Sequence, residues 1–452
     1  MKLFRKKDEK DKKYIGKESK DIGKESKDIG KESKDSAQAD YIETDLDDMD
    51  YDSADENERI GRDGTDSNVI EVRRAMGKKG RLIMTVALLV IIAGLATALI
   101  RYNLIKTYTQ YKVISSTETS GDNIADYLVF AGNVLKVTKD GAAYIDEKGV
   151  IKWDVSYAMK MPHAEVCGDY AIVADMNGKD VYVFNTDGEV SRQTLAYDIS
   201  NVDIASQGVY SLVLVGEDGN YINGYDKDSS VIYELKTSIE KSGYPMDMDL
   251  SNDGQKLVTS YMKVQGTQVQ SVIAMYNFGS VGQNENADRM MGSYAIDNSI
   301  YPIVKFIDND NIACFGNKDI RMYTMKEKPD EKSVIDLESR EMQGVFYNSS
   351  CVGYIALSDQ DNKTKYKMYV YDDSGKLKSE MDYADSFEKI YATENEIIVL
   401  GDMDCSIFRL NGSRKFQHSF KKNLVNVVPD SNKEEYVVIF ENETQAIQLK
   451  GM

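Results

Sequence analysis

The chain has 452 residues, a formal net charge of −19 and a hydrophobic fraction of 42%, a size that suits two or three domains or one large repeat array. An excess of acid on this scale argues against nucleic acid or a polyanionic wall polymer as partner, because like charges repel. The four cysteines, Cys167, Cys314, Cys351 and Cys405, form no CxxC pair, so neither a zinc ribbon nor a thioredoxin-type site is supported. They read as small buried strand residues, with one disulfide open to them in an oxidising compartment.

Residues 1–81 form a charged tail. The heptapeptide IGKESKD occurs three times, at 15–21, 22–28 and 29–35. A coiled coil needs two apolar seam residues per heptad, and each repeat supplies one, together with a glycine. Residues 36–58 follow with ten acids and no base. So little apolar surface leaves the tail disordered. Tyr41, Thr44, Tyr51 and Ser53 lie among acids as phosphorylation candidates, and the simplest role for the segment is a solvated spacer.

Residues 82–100, LIMTVALLVIIAGLATALI, hold 19 residues and no charge. A helix of that length spans roughly 28 Å, the thickness of a bilayer's hydrocarbon core. The segment before it is far too long for a cleaved signal peptide, so it reads as an uncleaved signal anchor. Arg73, Arg74, Lys78, Lys79 and Arg81 flank its start, against Arg101, Lys106 and Lys112 after its end. That excess places the N-terminus in the cytoplasm and the rest of the chain outside the cell membrane. Gly94 and Ala98 form a small-xxx-small pair that would allow two helices to pack. Residues 101–110 read as a juxtamembrane linker.

From 111 to 452 the pattern is all-β: short β-branched and aromatic runs separated by Gly, Asn and Asp. A propeller repeats four strands every 40 to 50 residues or so. Landmarks at the end of each third strand are Tyr144-Ile145-Asp146, Phe184-Asn185, Tyr225-Asp226, Tyr276-Asn277, Tyr323-Thr324, Tyr371-Asp372, Leu410-Asn411 and Gln448-Leu449. Their steps are 39, 41, 51, 47, 48, 39 and 38 residues. Turn sequences such as DEKG, NTDG, DDSG and NGS follow and suit tight hairpins. The last unit has only three strands, at 424–428, 435–440 and 444–449. A strand at 111–115 would supply the fourth and close the ring, leaving no open edge. The expected fold is therefore an all-β propeller of eight blades, with seven as the alternative, preceded by one transmembrane helix.

The segment AAYIDEKGVIKW (142–153) resembles the repeat of quinoprotein-type propellers. That resemblance implies a quinone stacked between a tryptophan and a disulfide of adjacent cysteines, with calcium beside it. The only tryptophan, Trp153, sits at a structural repeat position and no two cysteines are adjacent, so no cofactor is expected. His163 and His418 are too few for a histidine metal site or a triad and read as surface or loop residues. Asp308-Asn309-Asp310-Asn311 and Asp359-Gln360-Asp361-Asn362 lack the spaced acids of a calcium loop and read as polar turns. Carboxylates on the innermost strands remain as channel-face candidates: Asp203, Asp247 and Asp249, with Lys305 and Lys389 as counter-charges.

The stretch NVLKVTKDGAAYIDEKGVIKWDV (133–155), with one anchor and an acidic propeller, resembles an uncharacterised family of single-pass membrane-anchored propeller proteins of Gram-positive bacteria. The resemblance implies a fold and a location but no catalytic residues. The leading functional expectation is a non-catalytic, membrane-tethered binding or scaffold module for a protein or cell-surface polymer. A transmembrane sensor and a channel-face hydrolase or quinoprotein-like enzyme are the alternatives.

Overall fold

A computed structural model describes residues 78–118, 126–146, 149–280, 282, 289–326, 328–358, 365–430, 432 and 434–451. The tail, including its repeats, its acidic block, Arg73 and Arg74, lies outside these residues, as does the turn at 359–362.

The chain enters as a helix, Lys78–Ile105, in which Leu82–Leu99 has a mean hydropathy of 2.7 and is exposed along its length among the described residues. It is apolar on every face and is long enough to cross a membrane.

The remaining described residues form eight four-stranded antiparallel sheets arranged as blades. Their inner strands are Asp126–Phe130, Pro162–Cys167, Asp198–Ile204, Tyr244–Leu250, Ile303–Phe306, Met342–Asn348, Lys389–Ala392 and Leu424–Pro429. The closing strand is Gln110–Glu118, which pairs antiparallel with Glu443–Lys450 and completes the eighth blade. It is longer than the five residues expected, because the pairing runs on through a bulge after Val113. Seven blades are thereby excluded.

The core is divided among the seams. Each of eight buried apolar clusters bridges two neighbouring blades, such as Val173 and Phe184 against Leu135 and Tyr144, or Val438 and Phe440 against Ile407 and Phe416. The second strands are buried on both faces, as in Tyr170–Asp175 and Cys351–Leu357. This explains their unbroken apolar runs where a one-sided strand would alternate.

A second device recurs at the rim. The outer strand of one blade donates a hydrogen bond to the turn before the outer strand of the next. Trp153 Nε1 reaches Thr186 O (3.2 Å), Ser191 Oγ reaches Lys227 O (2.6 Å) and Ser379 Oγ reaches Leu410 O (3.1 Å). Trp153 also stacks on Phe184 with centroids 5.1 Å apart. It is thus a seam residue.

Neighbouring inner strands run in the same direction, so the ring has two distinct faces. One carries the turns from inner to second strand and from third to outer strand. The other carries the second-to-third turns and the connections between blades. The helix meets the first face at the seam of blades 7 and 8. Tyr108 forms a parallel bridge to Phe416, and its N–H donates to Lys415 O at 2.8 Å. Arg409 Nη2 donates to Lys106 O at 2.5 Å, Lys106 Nζ lies 3.4 Å from Glu434 Oε1, and Tyr108 OH bonds the same carboxylate. Beneath them Lys415 pairs with Glu396 at 2.6 Å, and Tyr436 OH donates to the other oxygen of Glu396 at 2.6 Å. We call this the anchor face and its opposite the far face.

All four cysteines are free thiols. Cys314, Cys351 and Cys405 are buried and Cys167 is half-buried, so the disulfide that the composition left open does not form.

Candidate functional site

The inner strand of a blade is an edge strand. One row of its backbone N–H groups faces its neighbour around the channel and needs acceptors. Blades 3 and 4 supply them to blades 4 and 5 as carboxylates. Asp203 Oδ2 accepts from Leu250 N (2.6 Å), Asp247 Oδ2 from Val304 N (2.9 Å) and Asp249 Oδ2 from Phe306 N (2.7 Å). The i, i+2 spacing of Asp247 and Asp249 matches the spacing of Val304 and Phe306, since alternate residues of a strand point the same way. Asp247 Oδ1 also accepts from Asn201 Nδ2 (2.8 Å), and Lys305 Nζ lies 2.7 Å from Asp249 Oδ1.

Four of the five channel residues singled out from the sequence are therefore brought together. Lys389 stands apart on the inner strand of blade 7, exposed, with its ammonium 5.8 Å from the Tyr391 ring.

Burial dominates the electrostatics. It pushes the Asp249 carboxyl up to about 6 even though Lys305 pulls it down. Asp203 is pushed well above the carboxylate range by burial and then by the charge of Asp249. Burial also works against the charge on Lys305, but Asp249, Tyr347, Asp247 and Asp203 outweigh it and hold the ammonium protonated. The Cys167 thiol is pushed up to about 11 by burial and by Asp203 and Asp249, which makes it a poor nucleophile at neutral pH.

Sequence reasoning missed Glu165 and Asn201. Glu165 sits two residues after His163 on the same inner strand, and its Oε1 lies 3.0 Å from His163 Nε2. That hydrogen bond raises the imidazole's pKa. The alternation in PHAEVC is the signal that would have found the pair. Both histidines lie on strands. His418 is half-buried between Tyr111 and Phe420, with ring centroids 4.9 and 4.8 Å away.

The turn at 308–311 is also built into the ring. Asp308 accepts from the N–H groups of Asp310 and Asn311, both at 2.7 Å. Asp310 pairs with Lys256 at 2.5 Å, and Asn309 Oδ1 accepts from Asp253 N at 3.0 Å, which ties blades 4 and 5 together. Among the described residues no group of three or more His, Cys, Asp or Glu could hold a metal ion.

The far face is different. On the connections and strand ends of blades 2 to 4 it leaves large apolar side chains in water: Met161, Tyr197, Val215, Ile239, Tyr244 and Val264, from 36% exposed at Tyr197 to 66% at Ile239. Tyr197 stacks on Tyr221 with centroids 5.0 Å apart and an interplanar angle of 7°. Lys236 Nζ lies 5.3 Å from the Tyr221 ring and pairs with Asp218 at 2.6 Å.

A protein-family model matches residues 104–449, which take in the end of the helix and the whole ring. The chain belongs to the family of unknown function DUF5711. No curated protein matches it in sequence. Among solved structures it is similar in fold to Sqt1 from Chaetomium thermophilum, with 9% identity and a TM-score of 0.52 over 75% of this chain and 98% of that one. BamB from Moraxella catarrhalis matches at 12% identity and a TM-score of 0.47, over 75% of this chain and 98% of that one. The WD40 domain of Neurospora crassa Pan2 matches at 6% identity and a TM-score of 0.42, over 76% and 96%. At such identities the likeness concerns the propeller fold alone.

Proposed function

We propose that this DUF5711 chain is a non-catalytic binding module, tethered by its helix on the outer side of the cytoplasmic membrane, which takes a protein or cell-surface polymer on its far face. One observation carries the reading. In the channel Asp203, Asp247 and Asp249 are engaged in holding blades together, whereas the far face of blades 2 to 4 exposes connections and strand ends that carry large apolar side chains. Scattered exposed hydrophobes are ordinary, but a run of them over three neighbouring blades is the signature of an interaction surface. The face points away from the helix attachment and is open to a partner.

The test is in-cell crosslinking with the full chain and with an Ile239→Ser, Val264→Ser double variant. Capture of the same partner by the native chain, lost in the variant, supports the reading. Equal capture by both moves the site elsewhere, and turnover of a glycan by the purified chain, or a stoichiometric quinone or metal, ends the non-catalytic reading. Protease added to whole cells should leave only about the first hundred residues protected, as the charge asymmetry requires.

A second reading, a sensor coupling an outside ligand to the tail, is supported by the contacts of Lys106, Tyr108 and Arg409. They leave little free chain between helix and ring, so a tilt of the ring would move the helix. Deleting residues 2–70 should then abolish the response. An unchanged phenotype leaves the tail as a spacer.

A further inference from the structure

The rim beside the helix carries a second apolar patch, separate from the far face. On the closing strand Ile114 is 52% exposed, and its neighbour Val113, whose register partner Ile447 packs toward blade 7, is 41% exposed. On the first blade's outer strand and the turn before it, Val150 and Ile151 are 53% and 57% exposed. The two strands are neighbours across the seam of blades 8 and 1. The turn that carries Val150 packs so closely on the closing strand that a side chain at Gly149 would collide with Thr117.

The segment that joins the helix to the closing strand runs against the charge of the whole protein. The chain carries −19, yet residues 101–117 hold Arg101, Lys106 and Lys112 and no acid. Lys450, the register partner of Gln110, is exposed at the same rim, and Lys152 there pairs with Asp146 at 2.8 Å. Tyr102, at the end of the helix, is 60% exposed, and a tyrosine at that depth suits the headgroup layer.

The attachment is short and fixed. Ile105 ends the helix, Lys106 and Tyr108 are already bonded to the ring, and Gln110 begins the closing strand. A ring held this close has no room to swing clear of the surface its helix leaves.

We infer that the seam of blades 8 and 1 is a lipid-contacting foot. Ile114, Val150 and Ile151 enter the interfacial layer of the membrane that the helix crosses, and Lys112 and Lys450 meet its anionic headgroups. The inference rests on the membrane-anchor reading above. Apolar residues in the interface with bases around them are the pattern by which peripheral segments hold a lipid surface. Exposed apolar residues recur at the start of the outer strand in blade 3, where Val231 and Ile232 are 56% and 48% exposed. That copy lies away from the helix and serves as the internal comparator. The foot tilts the ring and fixes which blades stand furthest from the membrane.

The test uses the full chain in vesicles of phosphatidylglycerol and phosphatidylcholine with brominated acyl chains. Ile114→Trp, Ile151→Trp and Val231→Trp are each placed in a Trp153→Phe background, so that one indole reports. The emission of the first two should shift to the blue and lose most of its intensity to bromine, while the third keeps its emission. Hydrogen exchange on the unsubstituted chain needs no variant to fold. Amides 111–116 and 149–152 should slow in vesicles relative to detergent, and those at 231–233 should not. If the chain resists alkaline extraction but residues 114 and 151 report as 231 does, the foot is overturned and the anchor stands. If alkali extracts the chain, both fall.

Discussion

The channel wall at blades 3 to 5 and the far face of blades 2 to 4 reverse the ordinary rule of inside and outside. The channel wall buries charge, with Asp203, Asp249 and Lys305 on adjacent inner strands. The far face exposes Ile239 and Val264 to water at 66% and 62%. The physical reasons differ. Inner-strand edges present backbone N–H groups that must be satisfied, and a carboxylate from the next blade does so without adding a strand. No folding requirement accounts for apolar side chains on a surface connection. The unusual charges therefore belong to stability, and the unusual hydrophobes are left for the partner proposed above.

Substitutions can break that division. Asp249→Ala removes the acceptor of Phe306 N–H and the directly bonded partner of the half-buried Lys305 ammonium, and should cost about 3–5 kcal/mol in denaturant unfolding. A loss within experimental error would show that the carboxylate is not structural. Asp249→Asn sharpens the same point through pH. With its pKa at about 6 in the fold, Asp249 holds more proton folded than unfolded across the window from about 4 to 6. Stability from this group is therefore lost as pH rises through that window. Asparagine does not titrate, so the variant should gain on the native chain by up to about 3 kcal/mol between pH 4 and pH 7. A flat difference would refute the burial effect. Asp247→Ala leaves Val304 N–H without its acceptor and should cost about 1–3 kcal/mol. On the far face, Ile239→Ser and Val264→Ser should change stability by no more than about 0.5 kcal/mol while removing partner capture. Lys389→Gln, at an exposed side chain whose ammonium lies 5.8 Å from the Tyr391 ring, should leave the melting temperature unchanged.

Much of this architecture could be read directly from the sequence. Tyr144, Phe184, Tyr225, Tyr276 and Tyr371 stand at or next to the ends of third strands, because an aromatic residue before a tight turn is a local feature. The closing strand was legible because three strands at the C-terminus demanded a fourth. The candidate site was legible only as a list of charges. That Asp249 would meet Phe306 rather than a ligand depends on a register between strands 57 residues apart, and no local pattern encodes it. Glu165 was missed because one glutamate among many acids carries no signal until His163 is seen beside it.

By itself, then, the sequence determined the apolar span, the eight-fold beat of strands and turns and the closure by a strand drawn from the other end, since each follows from periodicity and backbone valence along the chain. Only the tertiary structure decided which carboxylates are consumed in stitching blades, which seam receives the helix, and that one rim beside the helix exposes apolar side chains. Those properties arise where distant segments meet. Their energies depend on burial, edge satisfaction and charge proximity, which exist only once the ring is closed.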